Sequence, residues 1–257
     1  MSLDDAIERA AEYLAASQHA VALTGAGIST PSGIPDFRSP LTGLWEHADP
    51  LEVASIDAFH RNPRAFYDWI RPLARRMAEA RPNPAHVALA ELERMGILKA
   101  VCTQNIDELH YRAGSTRVLE LHGSTRQATC TRCGKRIPGA DLWPHVVEQG
   151  LVPQCPCCEG VVKPDVVLYG ELLPEGVLME AQLEAGRCDV MLVVGSSLEV
   201  YPAAELPFTA KRHGARVISV DYQPTALDAR ADVVIRSDVA AALPRIVGRV
   251  SELRRMA

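Results

Sequence analysis

Hydrogen-bonding side chains that could carry out chemistry gather in residues 103–123. Gln104, Asn105 and Asp107 follow a short apolar run and crowd into a single turn. His122 follows a second apolar run. An imidazole titrates near neutral pH, so a histidine here can take up a proton and return it. If both runs are strands of one open α/β sheet, their ends form the crevice in which such sheets bind ligands.

Four of the seven cysteines form two C-x2-C pairs with 21 residues between them: Cys130 with Cys133, and Cys155 with Cys158. Two thiolate pairs on two turns can supply the tetrahedral sulfur site that structural Zn2+ prefers. Because four sulfur ligands leave no open position, such a metal is structural rather than catalytic. Cys157 can replace Cys158 as the fourth ligand, although the two-residue spacing favours Cys158. Free thiols and a redox pair are the alternatives.

A glycine-containing turn follows the first apolar run. Gly25 and Gly27 match the start of a dinucleotide-binding fingerprint, but Thr30 stands where a third glycine is expected. The backbone amides of Ala26 and Gly27 are expected to face a pyrophosphate at a helix N-terminus. Arg38 can pair with a phosphate. An ordinary strand-to-helix turn is the alternative.

Two further apolar runs end in groups that suit a nucleotide. One ends at Gly195, Ser196 and Ser197, which offer backbone amides and hydroxyls. Another ends at Asp221, whose carboxylate can accept a hydrogen bond from a ribose hydroxyl. Three strand ends with chemistry compatible with phosphate or sugar predict an extended dinucleotide ligand.

The elements that must position these side chains are short strands alternating with helices. Continuous apolar, β-branched runs are typical of parallel strands buried on both faces. They occupy residues 20–23, 100–103, 118–121, 189–194, 217–220 and 233–235. Helices are predicted over residues 4–17, 63–80, 84–95, 175–185, 203–213 and 239–253, with Ser2, Asn62 and Asn83 as caps. The pattern predicts a Rossmann-like, doubly wound α/β sheet.

Two regions interrupt this alternation. Residues 31–62 begin rich in Pro, Gly and Ser, and we predict a flexible cofactor-binding loop with a helical segment. Residues 126–163 hold five of the seven cysteines and have poor helix or strand periodicity, which predicts a small inserted zinc-binding lobe. The flanking stretches 1–125 and 164–257 then form one discontinuous nucleotide-binding domain.

Composition limits the possible functions. The chain has 257 residues, a net charge of -5 and a pI near 5.9, which argues against a nucleic-acid binder with a basic face. No apolar run approaches the roughly 20 residues that span a bilayer. The N-terminus has acidic residues where a signal peptide has lysines, so we expect a cytoplasmic protein. In that compartment, paired cysteines favour metal over disulfides.

At this point the chain resembles the sirtuins, NAD-dependent protein lysine deacylases, and in particular their bacterial and archaeal members with a four-cysteine zinc lobe. The resemblance covers nearly the whole chain. It rests on GAGIS at 25–29, GIPDFR at 33–38, TQNID at 103–107, LHG at 121–123, PDVV at 164–167, YGE at 169–171, GSSL at 195–198, VYP at 200–202 and the two cysteine pairs. Each motif alone is modest, but their order along one chain argues against chance.

The resemblance implies that NAD is a co-substrate and that acetyl groups are removed from protein lysines. In the family, the acyl oxygen attacks C1′ of the nicotinamide ribose and nicotinamide leaves. A base, here His122, then activates a ribose hydroxyl that attacks the acyl carbon, and water releases lysine and 2′-O-acetyl-ADP-ribose. Asn105 and Asp107 are implied to bind the ribose and nicotinamide. Ile106 is implied to help hold the carboxamide, and Phe37 to shield C1′.

The resemblance also implies a longer list of contacts. The cofactor-binding residues are Gly25, Ala26, Gly27, Ser29, Thr30, Asp36, Phe37, Arg38, Gln104, Asn105, Ile106, Asp107, His122, Gly195, Ser196, Ser197, Asp221, Tyr222 and Val239. The acyl-lysine peptide is implied to bind as an added strand. Its contacts are Val167, Tyr169, Gly170, Glu171, Leu172, Glu199, Val200 and Tyr201.

The chain departs from the family pattern at several positions, including Ser196 in place of a common threonine and Tyr169 in place of a common phenylalanine, and none of these departures removes a catalytic group. Asp221 replaces a usual asparagine, and a carboxylate there favours NAD over NADP because it repels a 2′-phosphate. Lys163 replaces a common arginine. The desuccinylating branch carries Tyr-x-x-Arg in the helix lining its acyl channel, whereas Tyr67 here is followed by Ile70. Since Arg71 lies one residue further on, the alignment is open, and we predict acetyl or other uncharged acyl groups.

Other functions fit parts of the pattern. An NAD-linked dehydrogenase with a zinc lobe would produce NADH instead of free nicotinamide. A non-catalytic NAD sensor or zinc-ribbon module has no need of Asn105, Asp107 and His122 together. Mono-ADP-ribosyl transfer at the same site begins with the same loss of nicotinamide. The protein partners are expected to be acetyl-lysine substrates, with no membrane or specific nucleic acid, and a monomer is expected.

Overall fold

The computed structural model describes residues 1–37, 39, 43–46 and 48–256. Its strands are β1 (Ala20–Thr24), β2 (Leu98–Thr103), β3 (Val118–Glu120), β4 (Gly123–Cys130), β5 (Arg136–Pro138), β6 (Val162–Val166), β7 (Val190–Val194), β8 (Arg216–Val220) and β9 (Val233–Ile235). Its helices are α1 (Leu3–Ala16), α2 (Pro50–Val53), α3 (Ile56–Arg61), α4 (Pro63–Glu79), α5 (Pro84–Arg94), α6 (Leu109–Ala113), α7 (Gly139–Val147), α8 (Glu175–Arg187), α9 (Leu206–Arg212) and α10 (Val239–Met256).

The larger sheet has six strands in the order β3-β2-β1-β7-β8-β9, and all of its pairings are parallel. The chain moves outward from β1 on one side through β2 to β3, and on the other side through β7 to β9. The strand order therefore reverses at the β1–β7 boundary. Ligands of open α/β sheets bind outside the carboxyl ends of the strands at such a point. The predicted doubly wound fold is confirmed.

The sheet is buried on both faces. Every residue of β1 and β7 is buried, as continuous apolar strands require. Helices α1, α5 and α10 contribute to the hydrophobic cluster on one face. Helices α8 and α9 contribute to the cluster on the other face. These two layers make the strand ends rigid supports for the side chains that follow them.

Helix ends follow the predicted caps. Ser2 accepts a hydrogen bond from the Asp5 N–H in a capping box, and the side chains of Asn62 and Asn83 accept from the first turns of α4 and α5. The predicted helix over 203–213 is different, because residues 203–205 form a 3-10 turn and α9 begins at Leu206. Pro207 lies in the first turn of α9 and has no N–H, so the hydrogen bond from residue 207 to the carbonyl of residue 203 that would continue one α-helix is missing.

A second, antiparallel sheet has the order β5-β4-β6 and carries α7. The sequence analysis found poor periodicity over 126–163, and this was wrong for α7, which has nine residues. Pro144 lies inside α7, and β5 has only three residues, so the local sequence pattern did not reveal these two elements. The sheet spans 123–166, slightly beyond the predicted lobe limits. The division of the chain into domains stays a prediction.

The segment 31–62 contains more regular structure than a loop. Short 3-10 turns occupy 30–32 and 44–46, and α2 and α3 follow. Helices α3 and α4 pack into the same hydrophobic cluster as the small sheet and α7. No helix in the described part of the chain is long and apolar enough to cross a membrane.

Candidate active site

Glycines allow the loops after β1 and β7 to touch. A Cβ atom at Gly25 would lie 2.8 Å from Gly195 O, and one at Gly27 would lie 2.8 Å from the Gly195 Cα. Gly195 itself has φ +59, and its Cβ would lie 2.2 Å from the backbone nitrogen of Ile28. Only glycine fits this crossing, because every added Cβ meets backbone atoms. The crossing fixes two of the predicted nucleotide-binding loops against each other.

The Gly27 amide has a different partner from the one expected. It donates to Gly195 O at 2.8 Å, so it is used inside the protein rather than aimed at a pyrophosphate. The turn over Ala26–Ile28 is a single 3-10 turn and not the start of a long helix. A second 3-10 turn over Thr30–Ser32 ends at Gly33, which has φ +86. The missing third glycine of the fingerprint coincides with this different turn geometry.

The turn after β2 is held to the same crossing. Gln104 donates through its backbone N–H to Thr24 O at 3.0 Å and through its side-chain amide to Ser196 Oγ at 2.9 Å. Asn105 Nδ2 donates to Gly25 O at 3.1 Å. The predicted residues of β1, β2 and β7 therefore meet at one edge of the sheet.

Ser29 joins this turn to a buried carboxylate. Its single hydroxyl proton goes to Asp107 Oδ2 at 2.6 Å. Asn105 Nδ2 lies 3.1 Å and His86 Nε2 lies 3.5 Å from Ser29 Oγ. Because the hydroxyl proton is already used, both nitrogens donate to this oxygen. Burial raises the pKa of Asp107, and the Ser29 hydrogen bond partly offsets this by favouring the ionised form. Asp107 is thus a carboxylate poised away from bulk water.

His86 is a functional candidate that the sequence analysis missed. It is fully buried on α5, and its Nδ1 accepts from the N–H of the capping Asn83 at 3.4 Å. Burial lowers its pKa to about 4, so the ring is neutral near physiological pH. A histidine three residues after a capping asparagine was the available signal, since the pair forms a capping box.

A second buried histidine, His110, is connected to the turn after β2 through hydrogen bonds of Thr24 and Thr103. His110 Nε2 lies 2.9 Å from Thr24 Oγ1, which donates to Thr103 Oγ1 at 2.8 Å. Thr103 Oγ1 also accepts the Asn105 backbone N–H at 3.1 Å. Burial lowers the pKa of His110 to about 3, and His86 nearby adds to the effect. His110 is buried on α6 and packs against His86, with ring centroids 5.0 Å apart.

His122 lies just after β3, with one ring nitrogen anchored. Its Nδ1 is 3.0 Å from Gln104 O, and because a carbonyl only accepts, Nδ1 must carry the proton. The neutral ring then presents Nε2 as an acceptor. Burial lowers the pKa of His122, and the Gln104 hydrogen bond opposes this without reversing it. The side chain therefore has the protonation state that a general base needs.

Aromatic rings line the region between the glycine loops and the small sheet. Phe37 stacks on Trp45 with centroids 5.1 Å apart, and Trp45 stacks on Trp69 at 5.3 Å. Trp45 also meets Tyr169 edge-on at 6.2 Å. Phe37 is thereby connected to the predicted peptide-binding segment. Asp36 caps its own turn by accepting from the Ser39 N–H at 2.7 Å. Arg38 lies outside the described residues.

The remaining predicted nucleotide contacts differ in exposure. Asp221 follows β8, and burial raises the pKa of its carboxyl, with a smaller contribution from the charge of Asp36. Tyr222 is largely exposed, whereas Val239 is buried at the start of α10 within the core. The exposed Thr30 turns back to donate to Gly27 O at 3.1 Å.

The predicted peptide-binding residues form two exposed strips. In the first, Val167 donates through its N–H to His122 O at 2.8 Å, which ties the strip to the histidine turn. Among the described residues, no backbone N–H donates to Val167 O. Leu172 at the end of this strip is 93% exposed, and Tyr201 in the second strip is 65% exposed. Apolar side chains so exposed are typical of a surface that a partner covers.

The four predicted cysteine ligands form a compact cluster. Their sulfur atoms lie within 4.8 Å of one another, with Cys130 to Cys158 at 3.5 Å and Cys133 to Cys155 at 3.7 Å. A tetrahedral site with Zn–S bonds of about 2.3 Å places its sulfurs about 3.8 Å apart, so the cluster fits structural zinc. Cys157 is exposed and instead contacts Lys135 Nζ at 3.1 Å.

Tyr67, Ile70 and Arg71, on which the predicted acyl-group preference depends, lie in α4. Tyr67 is fully buried, and its hydroxyl donates to Val162 O in the small sheet. Ile70 is also buried. Arg71 pairs with Asp68 and donates to Gly150 O at 3.3 Å. The tyrosine hydroxyl and the arginine are therefore both occupied by contacts within the protein.

The structure combines a doubly wound parallel sheet, an inserted four-cysteine lobe and a histidine between them, and the comparisons with known proteins identify the family. The pattern of the Sir2 family matches residues 25–202. A deacylase of Archaeoglobus fulgidus, named NAD-dependent protein deacylase 2, is 53% identical over 256 residues, covering 98% of this chain and 99% of that protein. The NAD-dependent protein deacetylase of Sulfolobus acidocaldarius is 44% identical over 99% of both chains.

Solved structures agree. A Sir2 enzyme structure has a TM-score of 0.91 at 52% identity, covering 98% of this chain and 100% of that one. A Sir2 protein bound to a myristoylated histone peptide has a TM-score of 0.86 at 48% identity, covering 99% of this chain and 100% of the other. A Sir2 homologue in complex with NAD has a TM-score of 0.86 at 38% identity, covering 96% and 94%. This chain belongs to the Sir2 family.

Proposed function

We propose that this chain is an NAD-dependent protein lysine deacetylase that forms nicotinamide, 2′-O-acetyl-ADP-ribose and the deacetylated protein. The observation that carries the proposal is the state of His122. Its Nδ1 is anchored to Gln104 O at 3.0 Å, so Nε2 is an acceptor beside the Asn105–Asp107 turn. The relatives named as deacetylases and deacylases support the same reaction.

His122 acts as the general base. Its Nε2 takes the proton of a ribose hydroxyl, and the hydroxyl oxygen then attacks the acyl carbon. Because the pKa of His122 is lowered, the ring stays neutral at pH values where an ordinary histidine is protonated. The base is therefore ready before substrate binds. The hydrogen bond from Nδ1 to Gln104 O restrains rotation of the ring.

Asn105 and Asp107 bind the nicotinamide and its ribose. Ser29 orients both, because its oxygen accepts from Asn105 and its proton goes to Asp107. Asp107 is 7% exposed, so a bound carboxamide meets a carboxylate that is largely shielded from water. Electrostatic interactions are stronger in such a site than in solvent. Ile106 closes the same turn.

NAD is a co-substrate here, and the cleft at the carboxyl edge of the sheet has donors and acceptors suited to it. The proposed contacts are Gly25, Ala26, Gly27, Ser29, Thr30, Asp36, Phe37, Arg38, Gln104, Asn105, Ile106, Asp107, His122, Gly195, Ser196, Ser197, Asp221, Tyr222 and Val239. Gly25, Gly27 and Gly195 contribute by letting the loops after β1 and β7 cross in contact, which fixes the edge of the cleft. Asp221 favours NAD over NADP, since a partly buried carboxylate repels a 2′-phosphate.

The acyl-lysine peptide binds as an extra strand between the two exposed strips. Val167 accepts the lysine N–H at its carbonyl oxygen, to which no backbone N–H of the described residues donates. The strips are Tyr169, Gly170, Glu171 and Leu172 on one side and Glu199, Val200 and Tyr201 on the other. Main-chain pairing tolerates many peptide sequences. We therefore expect substrate choice to depend more on the acyl group than on the residues that flank the acyl-lysine.

The acyl group is acetyl or another uncharged chain. Ile70 stands at the arginine place of the Tyr-x-x-Arg pattern, and Nη2 of the neighbouring Arg71 is paired with Asp68, so a dicarboxylate acyl group lacks the arginine partner of that pattern. An unpaired buried charge is costly. The related Sir2 protein with a myristoylated peptide is consistent with uncharged chains longer than acetyl.

The metal centre stabilises the small lobe. Cys130, Cys133, Cys155 and Cys158 would hold zinc with a closed shell, which supplies folding free energy and no reaction step. Four reduced thiolates suit the cytoplasm, the location we propose. A monomer and the domain limits given above are part of the same proposal.

Mass spectrometry of the products tests this function. The protein is incubated with NAD and an acetyl-lysine peptide, and we expect free nicotinamide, unmodified lysine and a product of the mass of acetyl-ADP-ribose. Formation of NADH would indicate a dehydrogenase. Addition of ADP-ribose to the peptide or protein would indicate transferase activity. Binding of NAD without any of these products would leave only a sensor.

A further inference from the structure

The ammonium group of Lys163 is fully engaged at the end of β6. Its Nζ donates to Val166 O at 2.8 Å and to Pro164 O at 3.2 Å, and it pairs with Glu171 Oε2 at 2.9 Å. An ammonium group has three N–H donors, and each has a partner here. The side chain is only 13% exposed, so these contacts are shielded from water.

Glu171 closes a turn around the predicted peptide-binding segment. The same carboxylate oxygen that pairs with Lys163 accepts the Leu168 N–H at 2.8 Å. The side chain of Glu171 is 26% exposed. The Lys163–Glu171 pair therefore connects the strand before Val167 with the end of the segment after it.

Backbone hydrogen bonds fix the middle of this segment on both sides. Val167 donates to His122 O at 2.8 Å, so the segment is attached to the turn of the base. Tyr169 donates to Ala54 O and accepts from the Ile56 N–H, both at 2.9 Å. Among the described contacts of residues 163–171, the Lys163–Glu171 ion pair is the only one between charged groups that joins the two ends of this segment.

We propose that Lys163 is a positioning residue for the acyl-lysine peptide. It acts through Glu171 and the carbonyl groups of Pro164 and Val166, and it sets where the Val167 carbonyl stands relative to His122. This inference rests on the deacetylase function proposed above. Without the ammonium group, the Glu171 carboxylate loses its counter-charge and two carbonyl groups lose a donor, so the segment no longer has one preferred position.

The test compares Lys163→Met with Lys163→Arg and with the control Lys211→Met. Lys211 forms a similar ion pair with Asp232 at 2.5 Å, but between α9 and the end of the strand pair β8–β9. We expect Lys163→Met to raise the KM for an acetyl-lysine peptide about tenfold while the KM for NAD changes less than about twofold. Lys163→Arg keeps a charged donor and should stay within about threefold of wild type. Lys211→Met should alter neither constant.

Two readouts separate positioning from loss of fold. Zinc content should stay at the wild-type value in every variant, because the four cysteines are untouched. Hydrogen exchange at the amides of Leu168 and Glu171 should speed up only in Lys163→Met. An unchanged peptide KM in an active, zinc-loaded Lys163→Met protein overturns the proposal. Equal rises in both KM values also overturn it, because they indicate general damage.

The wild-type protein distinguishes this inference from the proposed function. If wild type releases no nicotinamide with the peptide, the deacetylase function fails, while exchange at Leu168 and Glu171 still reports whether Lys163 holds the segment. Unchanged exchange in Lys163→Met would then overturn the positioning role as well.

Discussion

The buried imidazoles of His86 and His110 should make the fold sensitive to acid. Their exposed fractions are 0% and 2%, and burial lowers their pKa values to about 4 and about 3. In the unfolded chain, a histidine titrates near pH 6.5. Because the folded pKa is the lower one, the unfolded state binds protons first as the pH falls. Stability is therefore retained above about pH 6.5 and is lost progressively below it.

The size of the effect follows from the same values. At pH 5, each imidazole is protonated in the unfolded state and neutral in the folded state, which costs about 2 kcal/mol per histidine at about 1.4 kcal/mol per pH unit. The two together remove about 4 kcal/mol relative to pH 7. This is a large part of the stability of an ordinary domain, which is about 5–15 kcal/mol.

The assay is urea unfolding at pH 7 and pH 5 for wild type and His110→Gln. A glutamine amide can reach Thr24 Oγ1 as His110 Nε2 does, but it does not titrate. We expect the variant to lose about 2 kcal/mol less than wild type between the two pH values. Zinc loss in acid affects both proteins equally, so it cancels in this difference. An identical pH sensitivity of the two proteins would refute the reasoning.

Three further predictions concern the glycine crossing, the metal centre and the buried serine. Gly195→Ala should destabilise the protein by about 3 kcal/mol or more in urea unfolding, since its Cβ would lie 2.2 Å from a backbone nitrogen, whereas Gly176→Ala has nothing within 4 Å and should be neutral or stabilising. Cys133→Ser should lose bound zinc by elemental analysis, while the exposed neighbour Cys157→Ser retains it; zinc loss in both would contradict the ligand assignment. Ser29→Ala should lower kcat/KM for NAD about 10- to 100-fold, because the buried Asp107 carboxylate and the partly buried Asn105 amide lose a partner; wild-type kinetics would contradict it.

The main sheet could be predicted from the sequence because its strands are continuous apolar runs. Such runs have few alternatives when helices alternate with them, and the strand limits in the structure differ from the predicted ones by at most two residues. The caps Asn62 and Asn83 could be predicted for a similar reason, since an asparagine before a proline is a strong local signal. These features depend on the chain close by.

Features that depend on distant contacts were not predictable. Helix α7 contains Pro144 and has its place because it packs on the small sheet and α4. The Gly27 amide seemed free for a phosphate, but the close approach of Gly195 from another strand gives it a partner. His86 had no visible role until the fold brought α5 to within 3.5 Å of Ser29.

The candidate site shows both cases together. His122 and the turn after β2 were identified from residue type and from the family resemblance. Their joint geometry, with His122 Nδ1 on Gln104 O, exists only because β2 and β3 are parallel neighbours in the sheet. The sequence identifies His122 and the turn residues. The pairing of β2 with β3 determines that Nδ1 of His122 is hydrogen-bonded and that Nε2 is the remaining acceptor.

The most direct test of the account measures two products at once in wild type and His122→Ala, with NAD present and with or without an acetyl-lysine peptide. In the proposed mechanism, His122 acts after nicotinamide has left. We expect wild type to form nicotinamide and free lysine in equal amounts, and only when peptide is present. We expect His122→Ala to form no free lysine while still binding NAD. Deacetylation by His122→Ala at the wild-type rate, or nicotinamide release that ignores the peptide in wild type, would contradict the central claim.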